Sequence, residues 1–243
     1  MALAATELFA IQGSVSTEVE TFAGDIKWRG RDKTYVIAKG KITKEFKLTD
    51  VTGLDIPKPA GYDKAVQAVE SGQGASAVGT LTKIVADYRM LYWDKQAGRY
   101  LALAHLAAGN AQKAYEVCVP IVSEDKSAAW SGDLASAYWQ TLQKLGKTDQ
   151  LQTLLKKAAS SGNRQASAAA LVMRGDLIAA ASHDSPEELR KALRDGYMRV
   201  ALMYQDPECA RERREALLKA AGCFDKMGQA ARGESLRTAA KSL

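Results

Sequence analysis

A carboxylate set in an apolar helix is the best opening for catalysis that this sequence offers. Residues 166–181 read as one long helix, almost wholly apolar and interrupted only by Arg174-Gly175-Asp176. Burial disfavours the charged form of an acid, so Asp176 on such a helix would keep its proton nearer neutral pH and could serve as a general acid or base. Hydrolysis by paired carboxylates, as in aspartic peptidases, needs a second acid close enough to share that proton. Asp184 and Asp195 are the candidates, but the Asp-Thr-Gly or Asp-Ser-Gly signature of those enzymes is absent. The competing reading of Asp176 is a structural ion pair or a solvated face.

Other catalytic chemistry has little material. The sequence contains no GxSxG elbow, HExxH, P-loop or GxGxxG after a strand. Two histidines, His105 and His183, give a triad little to work with, and His105 reads as a packing residue. Cys118, Cys209 and Cys223 are odd in number, have no CxxC spacing and read as buried, inert thiols. No metal or cofactor is implied. A second chemistry lies near the N-terminus: from Gly24 to Lys47 eight basic residues face three acidic ones. Lys27, Arg29 and Lys41, with Trp28 and Tyr35 as stacking platforms, are candidates for holding an anionic polymer, nucleic acid or glycan. Lysine is equally a common guard of exposed strand edges.

The elements that must position these residues are marked by a regular beat. Turn signals at Gly72-Gln73-Gly74, Gly109-Asn110-Ala111, Gly146-Lys147-Thr148 and His183-Asp184-Ser185 recur every 37 residues, and Gly228-Gln229-Ala230 follows 45 residues later. Amphipathic segments on both sides of each turn predict stacked helical hairpins. Ser185-Pro186, with Glu188 completing a capping box, and Asp206-Pro207 predict helix starts. Before the helices, residues 15–19, 25–29, 34–37 and 41–48 are β-branched and aromatic, and Gly24, Gly30, Gly40 and Gly53 punctuate them. In the last of these Lys41, Thr43, Glu45 and Lys47 share one face, and Ile42, Phe46 and Leu48 the other. Pro57-Lys58-Pro59 is the predicted joint.

With each turn at position fifteen of a unit, small residues fall at positions eight and twenty in three of five units: Ala65 and Ala77, Ala102 and Ala114, Ala221 and Gly233. This pattern resembles the tetratricopeptide-repeat (TPR) family over residues 61–243, although the period exceeds the usual 34. The third unit offers Trp139 and Leu151 instead, and the fourth Asp176 and Glu188. The resemblance implies an α+β, mostly α fold: a superhelix of about five helical pairs in residues 58–243. A small basic β module in residues 1–57, an SH3-like or Sm-like barrel or a curled sheet, precedes it. An α-solenoid of another kind is the alternative. By the family's logic the first helix of each unit lines a concave surface, which exposes Gln96, Arg99 and Leu103 in the second unit. In the third it exposes Asp133, Ser136, Gln140, Gln143 and Lys144. These are the expected contacts for a protein or peptide partner. Tyr92, Trp93, Trp130, Tyr138 and Trp139, at helical spacing, read as core.

Composition agrees with a globular chain: of 243 residues 47% are hydrophobic and 26% charged, with a net charge of +6. No run is long enough to span a membrane. Met1-Ala2-Leu3-Ala4-Ala5 lacks a signal-peptide core but resembles a cleavage zone, compatible with an exported protein whose leader is removed or with a cytoplasmic one. A non-enzymatic interaction scaffold is therefore the first expectation. Anionic-polymer binding and a carboxylate hydrolase are the alternatives.

Overall fold

The computed structural model describes residues 11–243, so the reading of the first residues as a cleavage zone lies outside the described residues. The chain divides into two compact units, one ending at Ala128 and the other running Ala129–Leu243.

The first unit opens with five antiparallel strands, β1 (Ile11–Thr17), β2 (Thr21–Arg29), β3 (Thr34–Lys39), β4 (Ile42–Lys47) and β5 (Val51–Asp55). Their order is β4-β3-β2-β1-β5, an open sheet with β4 and β5 as its edges. Of the two expected forms it is the sheet and not a closed barrel. Gly24 does not punctuate strands; it sits inside β2 opposite Gly13 of β1. A Cβ there would lie 2.3 Å from the Ala38 carbonyl oxygen, and one at Gly13 2.5 Å from Ile56 Cδ1. Both glycines permit a backbone approach that any side chain would block. The first predicted strand is displaced: Glu18, Val19 and Glu20 form the β1–β2 turn, where the Thr17 hydroxyl accepts from the Val19 and Glu20 amides. Phe46 is buried as alternation requires, but Ile42 is exposed at the strand's start.

Val15, Ile26, Tyr35, Ile37 and Phe46 form one core with Met90 and Leu91, so the sheet shares its interior with the helical part of its unit. Chain direction changes where the prolines predict, between β5 and α1 (Tyr62–Glu70). Then follow α2 (Gly74–Asp87), α3 (Trp93–Ala107) and α4 (Ala111–Glu124). Trp93 closes the joint by donating its indole N–H to the Ile56 carbonyl at 2.9 Å.

The second unit contains α5 (Asp133–Lys144), α6 (Thr148–Ser160), α7 (Arg164–Ala181), α8 (Pro186–Ala192), a π-helical turn (Leu193–Tyr197), α9 (Met198–Met203), α10 (Ala210–Lys226) and α11 (Ala230–Lys241). Helical hairpins thus make up most of the chain.

Four of the five turns are the same motif. Gly72, Gly109, Gly146 and Gly228 have φ between 67° and 80°. In each, the glycine amide bonds back three residues and the following amide five, as Gly109 to Leu106 and Asn110 to His105 do. These are Schellman C-caps, which need a left-handed residue and so select glycine. Gly109→Ala is expected to cost about 1–2 kcal/mol. Gly79→Ala, inside α2 where a Cβ meets open space, is expected to add about 0.5–1 kcal/mol. Thermal unfolding of the two variants checks both signs.

The fourth turn departs from this pattern. His183 and Asp184 both hold left-handed φ, 45° and 63°, without glycine. The predicted capping box is not made: Ser185 caps with no side-chain bond and Glu188 pairs with Lys191 instead. Asp206 likewise pairs with Arg164 and gives no side-chain cap. The close approach of the fourth hairpin is also displaced from Asp176 and Glu188. It falls at Gly175 and Gly196, where a Cβ on Gly196 would sit 2.6 Å from the Gly175 Cα.

Candidate functional site

The helices that open the last three hairpins, α5, α7 and α10, bring polar side chains to one place. Ser136 and Gln140 come from α5, Asp176 from α7, and Arg211, Glu212 and Glu215 from α10. They surround a hollow of about 10 Å³, room for one water. Its apolar wall is Trp139, Val172 and Met173. Helical spacing explains the convergence. Asp133, Ser136 and Gln140 recur at three and four residues along α5, as do Glu212, Glu215 and Lys219 along α10.

Charge pairs tie these helices together. Arg211 bridges Asp133 at 2.5 Å and Glu212 at 2.6 Å. Glu212 is 2% exposed, and while its Oε1 accepts from Arg211, its Oε2 has no partner among the described residues. Asp176 accepts from the Tyr197 hydroxyl at 2.8 Å and from Lys219 Nζ at 2.5 Å. Lys219 also reaches Glu215 at 2.7 Å. Burial pushes the Asp176 carboxyl above the usual carboxylate range, against the pull of Lys219 and Tyr197. Burial also penalises the Lys219 ammonium, yet Glu215 and Asp176 outweigh it and hold the pKa above that of an ordinary lysine.

The proposed carboxylate pair is not formed. Asp184 lies exposed at the fourth turn, paired with Lys226, and Asp195 is held by Arg194 on the π-helical turn. Both oxygens of Asp176 are occupied by Tyr197 and Lys219, and Glu215 binds the same Lys219 ammonium. Asp176 is thus half of an ion pair, not of a dyad sharing a proton.

Among the expected partner contacts, Asp133, Ser136 and Gln140 belong to this constellation. Gln143 is half-buried and Lys144 exposed at the end of α5, and neither lines the hollow. In the first unit Gln96 donates to the Tyr92 hydroxyl at 3.2 Å. Arg99 lies over the Tyr100 ring, with its Nε buried and lacking an acceptor, and Leu103 is half-buried. Trp139 is core, fully buried, with its N–H on the Ala129 carbonyl, and Tyr138 is buried too. Trp130 lies beneath Lys157, while Tyr92 is 53% exposed.

The basic residues expected to hold an anionic polymer differ in their surroundings. Lys27 and Lys41 are exposed, but Arg29 is clamped by Asp32 and, through two hydrogen bonds, by Glu45. Trp28 and Tyr35 face inward, with ring centroids 4.8 Å apart. The Trp28 N–H is on Glu124 and the Tyr35 hydroxyl on the Met90 carbonyl. Neither ring is free to stack on a base.

All three cysteines are free and buried, and burial pushes Cys118 up to about 12. Among the described residues no group of acids, histidines and cysteines could hold a metal ion, and no helix is long and apolar enough to cross a membrane. The α10 residues escaped the sequence reading because the run 211–215 looks like an ordinary solvated stripe. Their signal is the spacing of Arg211, Glu215 and Lys219, which puts alternating charges on one face.

No family model matches the sequence, and no curated protein matches it. The chain is similar to two crystal structures of nearly identical TPR-like repeats from a kinesin light chain candidate of Podosopora anserina, one of them a single-residue variant. Identity is 17% and 16%, the TM-score is 0.40 for both, and each match covers 74% of this chain and 91% of the other.

Proposed function

We infer that this protein is an interaction module and that the α5–α7–α10 face holds a segment of a protein partner. The observation that supports this reading is the convergence of Ser136, Gln140, Asp176, Arg211, Glu212 and Glu215 from three successive opening helices, with each of the three acids held by a basic residue. Ser136 and Gln140 contribute donors and acceptors suited to an extended backbone, and the flanking charge pairs keep α5, α7 and α10 in register. In the first unit Gln96 and Arg99 occupy the equivalent helix face.

Ser136→Ala/Gln140→Ala removes polar groups without disturbing an ion pair and is expected to keep the wild-type melting temperature. Against a partner identified by affinity capture from the native source and then purified, it is expected to bind at least about tenfold more weakly, the equivalent of roughly two lost hydrogen bonds. Gln96→Ala/Arg99→Ala tests the first unit in the same way. Wild-type affinity in both variants would remove these faces as the site.

A further inference from the structure

Helix α7 is apolar nearly all round, and such a helix is expected to be covered on every side. One flank is not. Ala166, Ala168, Val172, Met173 and Gly175 are buried against the rest of the second unit. On the other side Leu171, Leu177 and Ile178 are only half-buried, and together with Leu155 of α6 they floor a groove of about 450 Å³. The floor runs from Ala170 to Ile178 along α7 and from Gln152 to Ala159 along α6, about 12 Å at 1.5 Å per residue. That is two turns of helix, a shape that accepts the apolar stripe of a third helix.

The rim carries one sign of charge. Lys156 stands on α6, Arg174 on α7 and Lys191 on α8, and no acid lines the groove. Lys191 has Glu188 at 3.5 Å, whereas Lys156 and Arg174 make no hydrogen bond or ion pair among the described residues. The acid whose field reaches Arg174 is Asp195, itself held by Arg194. We propose that this groove docks an acidic amphipathic helix of a partner protein, leucine-like side chains on Leu171, Leu177 and Ile178 and carboxylates toward Lys156 and Arg174. The surface is separate from the α5–α7–α10 face, since Ala169, Val172, Met173 and Asp176 of the same helix point to that side.

The probe is a fluorescein-labelled 18-residue helical peptide with leucines on one stripe and glutamates elsewhere. Its counterpart carries lysine in place of every glutamate. Anisotropy is expected to show binding of the glutamate peptide, weakened by added salt, and none of the lysine peptide. Arg174→Glu, an exposed change that leaves the core intact, is expected to weaken binding by about tenfold or more. Leu177→Gln is expected to do the same through the floor. Should Leu177→Gln fail to fold by circular dichroism, Arg174→Glu decides alone. Equal binding of both peptides, no binding of the glutamate peptide, or indifference to Arg174→Glu overturns the proposal. So does tighter binding to vesicles of phosphatidylglycerol and phosphatidylcholine than to the peptide, which would make the occupant a lipid surface. A dimer in sedimentation that Leu177→Gln dissociates would make it a second copy of this chain.

Discussion

A Gly196→Ala protein is expected to lose about 3 kcal/mol of stability, seen as a lower urea midpoint with an unchanged slope. The added Cβ would lie 2.6 Å from the Gly175 Cα, 2.8 Å from its amide nitrogen and 3.0 Å from the Leu171 carbonyl. All three are backbone atoms of α7, so no rotamer change relieves the clash, and the helices must part. Overpacking in a close-packed interior costs about 1–3 kcal/mol, with rigid neighbours at the upper end. Gly175→Ala meets the Tyr197 ring at 2.5 Å instead. That ring is itself tethered to Asp176, so relief there would cost the hydroxyl–carboxylate bond. Gly222→Ala serves as the control, since a Cβ at Gly222 in α10 meets nothing. A Gly196→Ala protein as stable as the control would show that α7 and the π-helical turn do not cross at these glycines.

That crossing marks the limit of what the sequence discloses. The four glycine turns are legible because a Schellman cap needs positive φ, and only glycine adopts it without strain. The fourth turn is legible only through the period, since His183 and Asp184 take left-handed φ with no residue-type signal. Small-residue spacing finds Ala102 with Ala114, both fully buried, and Ala221 with Gly233. It misses Gly175 with Gly196, because the π-helical turn shifts which residue meets α7. Ser185 and Asp206 look like side-chain caps, yet Glu188, the acid of the predicted box, pairs with Lys191 one turn on, and Asp206 pairs with the distant Arg164. In the sheet, alternation identifies the inward face, which places Trp28 and Tyr35 in the core and so removes them as stacking platforms. Asp133, Ser136 and Gln140 are legible from repeat position. Their companions Arg211, Glu212 and Glu215 are not, because Asp133 and Arg211 lie 78 residues apart in the chain.

Asp176→Ala is the second large effect, and its pH dependence distinguishes an ion pair from a catalytic acid. The change strips the Tyr197 hydroxyl of its acceptor and leaves Lys219 with Glu215 alone. Losing one member of a largely buried pair leaves an under-compensated charge, and the expected cost is about 3 kcal/mol at neutral pH. Asp176→Asn keeps the shape and one hydrogen bond and should cost less. The folded pKa of Asp176 lies above its unfolded value, so on acidification the folded state takes up this proton first. Over that window the group's contribution to stability rises as pH falls. Wild type should therefore gain stability relative to Asp176→Asn, which has no proton to take up, as pH falls through the folded pKa. Lys219 has the opposite reach: its raised pKa gives stability that is complete below 10.5 and lost as pH rises through the folded value. In Asp176→Asn that alkaline loss should be smaller, because only Glu215 still holds the ammonium. Chemical unfolding from pH 4 to 11 reads both limbs. A gap between the two proteins that stays constant with pH would mean that Asp176 does not titrate against Lys219, and the pairing of α7 with α10 would need another explanation.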